Sequence, residues 1–183
     1  MTSSTIATYG SWKSQISSDL IVADTVRLGQ VRINGTDIYW TEGRPKEEGR
    51  DVLVRVVGGN QCTDVTGAPH SVRSRANEYG GGSFLVTRDW VFFCNNEDQR
   101  IYRINNDGSA QTFTTGSGLR YADAIIDTKR QRLIAVREDH RDTSHEAINT
   151  LVAIDLVTAQ ETVLQSGRDF YSSPRLSPDG GAL

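Results

Sequence analysis

A chain of 183 residues is long enough for one domain with a real core. Its apolar fraction of 37%, charged fraction of 23% and net charge of -3 fit a slightly polar globular chain, and the scattered arginines argue against a concentrated nucleic-acid-binding face. No run approaches the roughly 18 apolar residues that a membrane helix needs, and Met1 to Trp12 lacks the basic and apolar regions of a secretory signal, so a cytoplasmic setting is expected.

In chain order, Trp12 to Ala23 could form one short helix, with Ile16 and Leu20 at i, i+4 spacing. Everything after it reads as strand. Val31 to Ile33, Ile38 to Trp40 and Val52 to Val57 come first, then Ser83 to Thr87, Trp90 to Cys94, Arg100 to Ile104 and Ala110 to Thr114. Ala124 to Asp127, Arg132 to Arg137, Leu151 to Leu156 and Glu161 to Leu164 follow. Turn residues separate the runs: Asn34-Gly35, Gly58-Gly59, Asn106-Asp107-Gly108 and Pro178-Asp179-Gly180. Asn34-Gly35-Thr36 matches a glycosylation sequon but reads better as a hairpin turn. Cys62 and Cys94 lack the spacing of a zinc site or a disulfide framework and are expected as reduced, partly buried thiols.

The strands recur in sets. Asp37, Asp89, Gln131 and Gly181 each stand just before a central apolar strand and lie 52, 42 and 50 residues apart. Such a period belongs to propeller blades. Ten residues before the last three anchors stand Tyr79, Tyr121 and Tyr171, each followed by small residues. The expected fold is all-β: a partial β-propeller of about three four-stranded antiparallel blades, over 30–67, 79–117 and 121–167. Residues 1–29 form an N-terminal segment, and 171–183 start a further blade. Because propellers need roughly 4 to 8 blades to close, the chain reads as an incomplete propeller domain cut from a longer protein.

Sites are sparse. The patterns GxSxG, HExxH and GxxxxGK[ST] are absent, and His145 to Asn149 is a near miss to the zinc pattern with asparagine in place of the second histidine. No catalytic, metal or cofactor residue is therefore expected. The polar run Arg137 to Glu146 fits a solvated loop whose Glu138, Asp139 and His140 could face an opening or an interface. Gly80 to Gly82 precede Ser-Phe-Leu-Val instead of a helix, so they fit close backbone approach near a propeller axis better than a phosphate cradle. Glu78 and Tyr79, beside them, are candidates to face the channel.

Six strings occur in order: Tyr9-Gly-Ser-Trp-Lys-Ser14, Ile38-Tyr-Trp-Thr-Glu-Gly-Arg-Pro45, Glu78-Tyr-Gly-Gly-Gly82, Arg137-Glu-Asp-His140, Asn149-Thr-Leu-Val-Ala-Ile-Asp155 and Tyr171-Ser-Ser-Pro-Arg-Leu-Ser-Pro-Asp-Gly180. Together they resemble the N-terminal propeller of prolyl-oligopeptidase-family serine peptidases, in the dipeptidyl-peptidase and acylaminoacyl-peptidase-like branch. Asn77 departs from the histidine that the family pattern would place before Glu78. The resemblance implies a parent that hydrolyses short peptides or acylated N-terminal residues. Its partners would be the missing α/β-hydrolase domain, the remaining blades and peptide substrates, with neither nucleic acid nor membrane. This segment would restrict access to the active site and be inactive alone. Two other readings compete: a non-enzymatic propeller scaffold, and a metal-dependent lactonase-type propeller, for which Asp123 is the only clear inner-strand carboxylate after the tyrosine register.

Overall fold

The computed structural model describes residues 6–11, 14, 16–22, 25–58 and 61–183. Of the expected helix, α1 covers Ser18–Val22, while Trp12, Lys13, Gln15 and Ala23 lie outside the described residues. So does Gly59 of the Gly58-Gly59 turn.

Three four-stranded antiparallel sheets follow, each a simple meander. The first orders β1 (Arg27–Asn34), β2 (Asp37–Arg44), β3 (Arg50–Val57) and β4 (Gln61–Asp64). The second orders β5 (Phe84–Val86), β6 (Val91–Cys94), β7 (Ile101–Ile104) and β8 (Ala110–Thr112). The third comprises β9 (Leu119–Asp127), β10 (Arg132–Asp139), β11 (Ile148–Asp155) and β12 (Glu161–Gln165). These are propeller blades, and the set does not close into a ring. Beyond Tyr171 no strand is assigned, although Ser177 N–H donates to the Ala182 carbonyl (2.9 Å) across the Pro178–Gly181 turn.

Several boundaries differ from those expected, each for a local reason. The first sheet starts at Arg27, before position 30, because the ladder shifts register between Leu28 and Val31 and breaks the alternation there. Its fourth strand, Gln61–Asp64, is wholly exposed and has no apolar stripe to reveal it. In the third sheet β9 starts at Leu119, five residues before the expected Ala124. Asp123 adopts φ +54° at a register shift, which hides the continuity of the strand. The three tyrosines share a spacing but not an environment. Tyr121 is fully buried in β9, whereas Tyr79 is 86% exposed on a turn and Tyr171 is partly buried outside any strand. Cys94 is buried and Cys62 is exposed, so only the first has the expected burial; both are free thiols.

The apolar cores lie between sheets. Along β6, alternate side chains leave on opposite faces. Phe92 and Cys94 enter a cluster with Tyr121, Leu133, Ala135, Val152 and Ile154 of the third sheet. Phe93 enters another with Tyr39 and Leu53 of the first sheet, Val72 and Phe84. Burying each phenylalanine contributes about 1.5–3 kcal/mol. Strand β6 is thus packed on both faces.

Side-chain-to-backbone hydrogen bonds tie the innermost strands together. Gln30 accepts from Ser83 N–H (2.8 Å) and donates to the Phe84 carbonyl (2.9 Å), and Asn34, at the predicted turn, donates to the Thr87 carbonyl (2.9 Å). Asp123 accepts from Gly82 N–H (2.7 Å) through one oxygen and from Ser173 N–H (3.0 Å) through the other. The glycines of the expected crowded approach are in place: a Cβ on Gly81 would stand 2.8 Å from the Ala122 Cβ, and one on Gly82 2.8 Å from Asp123 Oδ1.

Candidate functional site

Beside the loop end of β10 lies a cleft of about 940 Å³. Two segments form much of its wall. One is the turn Asn77-Glu78-Tyr79-Gly80, in which Asn77, Glu78 and Gly80 have φ of +53°, +63° and +88°. Left-handed backbone at a non-glycine residue such as Glu78 costs about 1–2 kcal/mol. The hydrogen bonds Glu78 N to Arg75 O (3.0 Å) and Gly80 N to Ala76 O (2.8 Å) hold the turn and push Tyr79 outward. The second wall is the end of β10 and the loop that follows it.

Four of the five residues singled out from the sequence line this cleft: Glu78, Tyr79, Glu138 and His140. Asp139 does not. Successive strand residues face opposite ways, and Asp139 instead accepts hydrogen bonds from the Arg141 backbone and guanidinium. The buried Glu138 carboxylate lies 3.0 Å from His140 Nε2 and 3.9 Å from Arg120 Nη1. Arg120 also donates to Glu78 (2.6 Å) and to the Arg75 carbonyl (2.9 Å). The Arg120 guanidinium holds the Glu78 carboxyl below the usual carboxylate range, so it is ionised at neutral pH.

Sequence reading missed Arg120 and treated Asn149 only as part of a motif. Both follow from register: Glu138 pairs with Arg120 on β9 and with Asn149 on β11, so the three stand side by side across three strands. Had β9 been extended back to Leu119, the charge pair opposite Glu138 would have been visible. Asn149 is 6% exposed, and its Oδ1 has no hydrogen-bond partner; the buried Asn77 Oδ1 likewise has none. Both residues line the cleft. Asp142, His145, Glu146 and Asp169 add ionisable groups, and Phe170, 67% exposed, adds an aromatic face. The cleft therefore offers an excess of acceptors beside two aromatic rings.

Ser144 Oγ and Asp142 Oδ2 lie 2.9 and 3.0 Å from His145, but both approach the same nitrogen, Nδ1. A catalytic relay needs the nucleophile on one ring nitrogen and the carboxylate on the other. Among the described residues no group of three or more His, Cys, Asp or Glu side chains is arranged to hold a metal ion. Asp123, the carboxylate a lactonase-type site would need, spends both oxygens on backbone N–H groups. No helix among the described residues is long and apolar enough to cross a membrane.

No protein-family model and no curated protein matches the chain. Solved structures do. A puromycin-hydrolysing peptidase of Mycobacterium tuberculosis superposes with a TM-score of 0.82 at 32% identity, over 94% of this chain and 29% of that one. A puromycin hydrolase gives 0.84 at 29% identity, over 97% of this chain and 30% of that one. A mutant of puromycin hydrolase complexed with PGG gives the same TM-score and identity over 95% and 30%. The chain thus spans about 30% of the length of the structures it matches. With its three-sheet meander, its six motifs in order and these likenesses, the chain is a β-propeller segment of the prolyl-oligopeptidase family of serine peptidases.

Proposed function

We propose that this segment forms part of the propeller that gates the active site of a peptidase acting on short peptides, acylated N-terminal residues or aminoacyl amides of the puromycin kind. The observation that carries the reading is the match over 94–97% of the chain, at TM-scores of 0.82–0.84, to puromycin-hydrolysing enzymes. The partner is an α/β-hydrolase domain that supplies the serine nucleophile and its base. The segment alone has no hydrolytic activity. Two free thiols fit a reducing, cytoplasmic setting.

The acidic cleft gives the propeller a role beyond exclusion. Its unpartnered Asn77 and Asn149 oxygens, with Glu78 and Glu138, suit the ammonium end of an unblocked substrate. The test is hydrolysis of alanyl-nitroanilide, its N-acetyl derivative and puromycin, by the chain alone and by the full parent polypeptide. The parent should cleave alanyl-nitroanilide and puromycin, and Glu138→Gln should raise KM for unblocked substrates with little change for the acetylated one. Hydrolysis by the chain alone, or a parent inert towards all three, would overturn the reading.

A further inference from the structure

A second cavity, of about 290 Å³, opens between the first and second sheets. Tyr79 lines both cavities, so it stands where they meet. The chemistry of the second cavity is the reverse of the first. Arg73 and Arg27 both line it. Among the described residues the Arg73 guanidinium makes no hydrogen bond or ion pair. Arg27 spends one nitrogen on Asp51 (2.9 Å) and leaves a side chain 67% exposed. Two hydroxyls join them. Ser83 is 9% exposed and Thr41 7% exposed, and neither hydroxyl has a hydrogen-bond partner among the described residues. The one carboxylate present, Asp51, is already paired with Arg27.

Both hydroxyls open into the cavity with their donor capacity unspent. Two such hydroxyls beside an uncommitted guanidinium make a set of donors that lacks only an anionic acceptor. Planar guanidinium groups match a carboxylate with two parallel hydrogen bonds. We infer that this cavity is a carboxylate subsite, and that it takes the C-terminal carboxylate of a short peptide whose chain passes over Tyr79. The inference rests on the peptidase reading for its choice of a peptide as the carboxylate source. Arg73 and Arg27 supply charge, Ser83 and Thr41 supply neutral donors, and the ring of Tyr79 supports the intervening backbone. Peptides with both ends free would then be held at both ends, and those too long to fit between the two cavities would lose one contact.

The full chain should bind N-acetyl-dialanine with a free carboxylate, followed by amide chemical shifts or calorimetry at low salt. Its C-terminal amide should bind at least tenfold more weakly. Arg73→Gln should weaken carboxylate binding about tenfold and Ser83→Ala a few-fold, with unchanged circular dichroism. Arg73→Lys, which keeps the charge but not the fork, should fall between. Equal binding of acid and amide, or an Arg73→Gln chain that binds like the parent, would overturn the subsite. Inorganic phosphate competing as well as the peptide acid would overturn the peptide as its source. Alaninamide, which carries only the ammonium, probes the other cleft. If it binds while the peptide acid does not, the carboxylate subsite fails and the peptidase reading survives; the reverse result fails the ammonium cleft and leaves the subsite standing.

Discussion

Replacing Gly81 by alanine tests the crowding between the second and third sheets. The backbone of Gly81 is not left-handed, so no conformational penalty confuses the result, and the cost is steric. The new Cβ would stand 2.8 Å from the Ala122 Cβ, whereas carbon atoms rest at about 3.5–4.0 Å. Ala122 is 2% exposed and packs with Ala76 and Val136, so it has little room to retreat. Overpacking of this kind costs about 1–3 kcal/mol. For a chain of this size, 2 kcal/mol corresponds to a fall of about 4–8 °C in melting temperature. Urea and thermal unfolding of the variant measure it. Gly67→Ala is the control, because a Cβ there meets nothing within 4 Å and its φ is ordinary; it should stay within about 0.5 kcal/mol of the parent. The decisive arm is the double variant with Ala122→Gly. That second change removes the opposing methyl, so the pair should be more stable than the sum of the two single effects by about 1 kcal/mol or more. If the effects of Gly81→Ala and Ala122→Gly simply add, or if Gly81→Ala is neutral, the close approach does not explain the glycine.

A thiol reagent should titrate one cysteine of the folded chain quickly, the exposed Cys62, and reach the buried Cys94 only on unfolding. Burial, with a smaller contribution from Asp123, pushes the Cys94 thiol from 9.0 up to about 12. Between those values the unfolded chain has lost a proton that the folded chain keeps. Stability should therefore fall as pH rises from 9 towards 12, a dependence that Cys94→Ala reduces and that is absent below 9. Tyr121→Phe should destabilise by about 1.5–3 kcal/mol, because its fully buried hydroxyl donates to the Glu161 carboxylate, whose other oxygen holds Arg137 at 2.7 Å. An unfolding midpoint unchanged by Tyr121→Phe would refute that role.

The architecture was legible because short apolar runs and turn residues recur at blade spacing, and a sheet meander needs little more than that pattern. Asp89 and Gln131 fall in the tight connections before β6 and β10, Asp37 is itself the first residue of β2, and no strand follows Gly181. What escaped was irregularity. The register shifts near Leu28 and around Asp123 interrupt the alternation from which strands are read, so β1 and β9 looked shorter than they are. β4 escaped because an exposed strand has no apolar stripe to announce it. The cleft was half legible for the same reason. Glu138 and His140 carry their chemistry in their residue types, whereas Arg120 and Asn149 owe their place to register alone. Equal spacing also misled: Tyr79 and Tyr121 occupy matching positions, yet a left-handed turn places one in solvent while the strand places the other in the core.

Phe92 and Phe93 are neighbours in the chain but belong to different boundaries, one facing the third sheet and one the first. Each sheet is therefore less a unit of stability than a shared partition, and the unit is the gap it shares with the next. In an array built this way, loosening spreads only to adjacent members. A substitution at Phe92 weakens a different joint from one at Phe93. Inserting or deleting a single residue within β6 would exchange the two rings and empty both joints at once. Repeat length can drift in the loops, as the unequal anchor intervals show, but within the strands it can change only in steps of two.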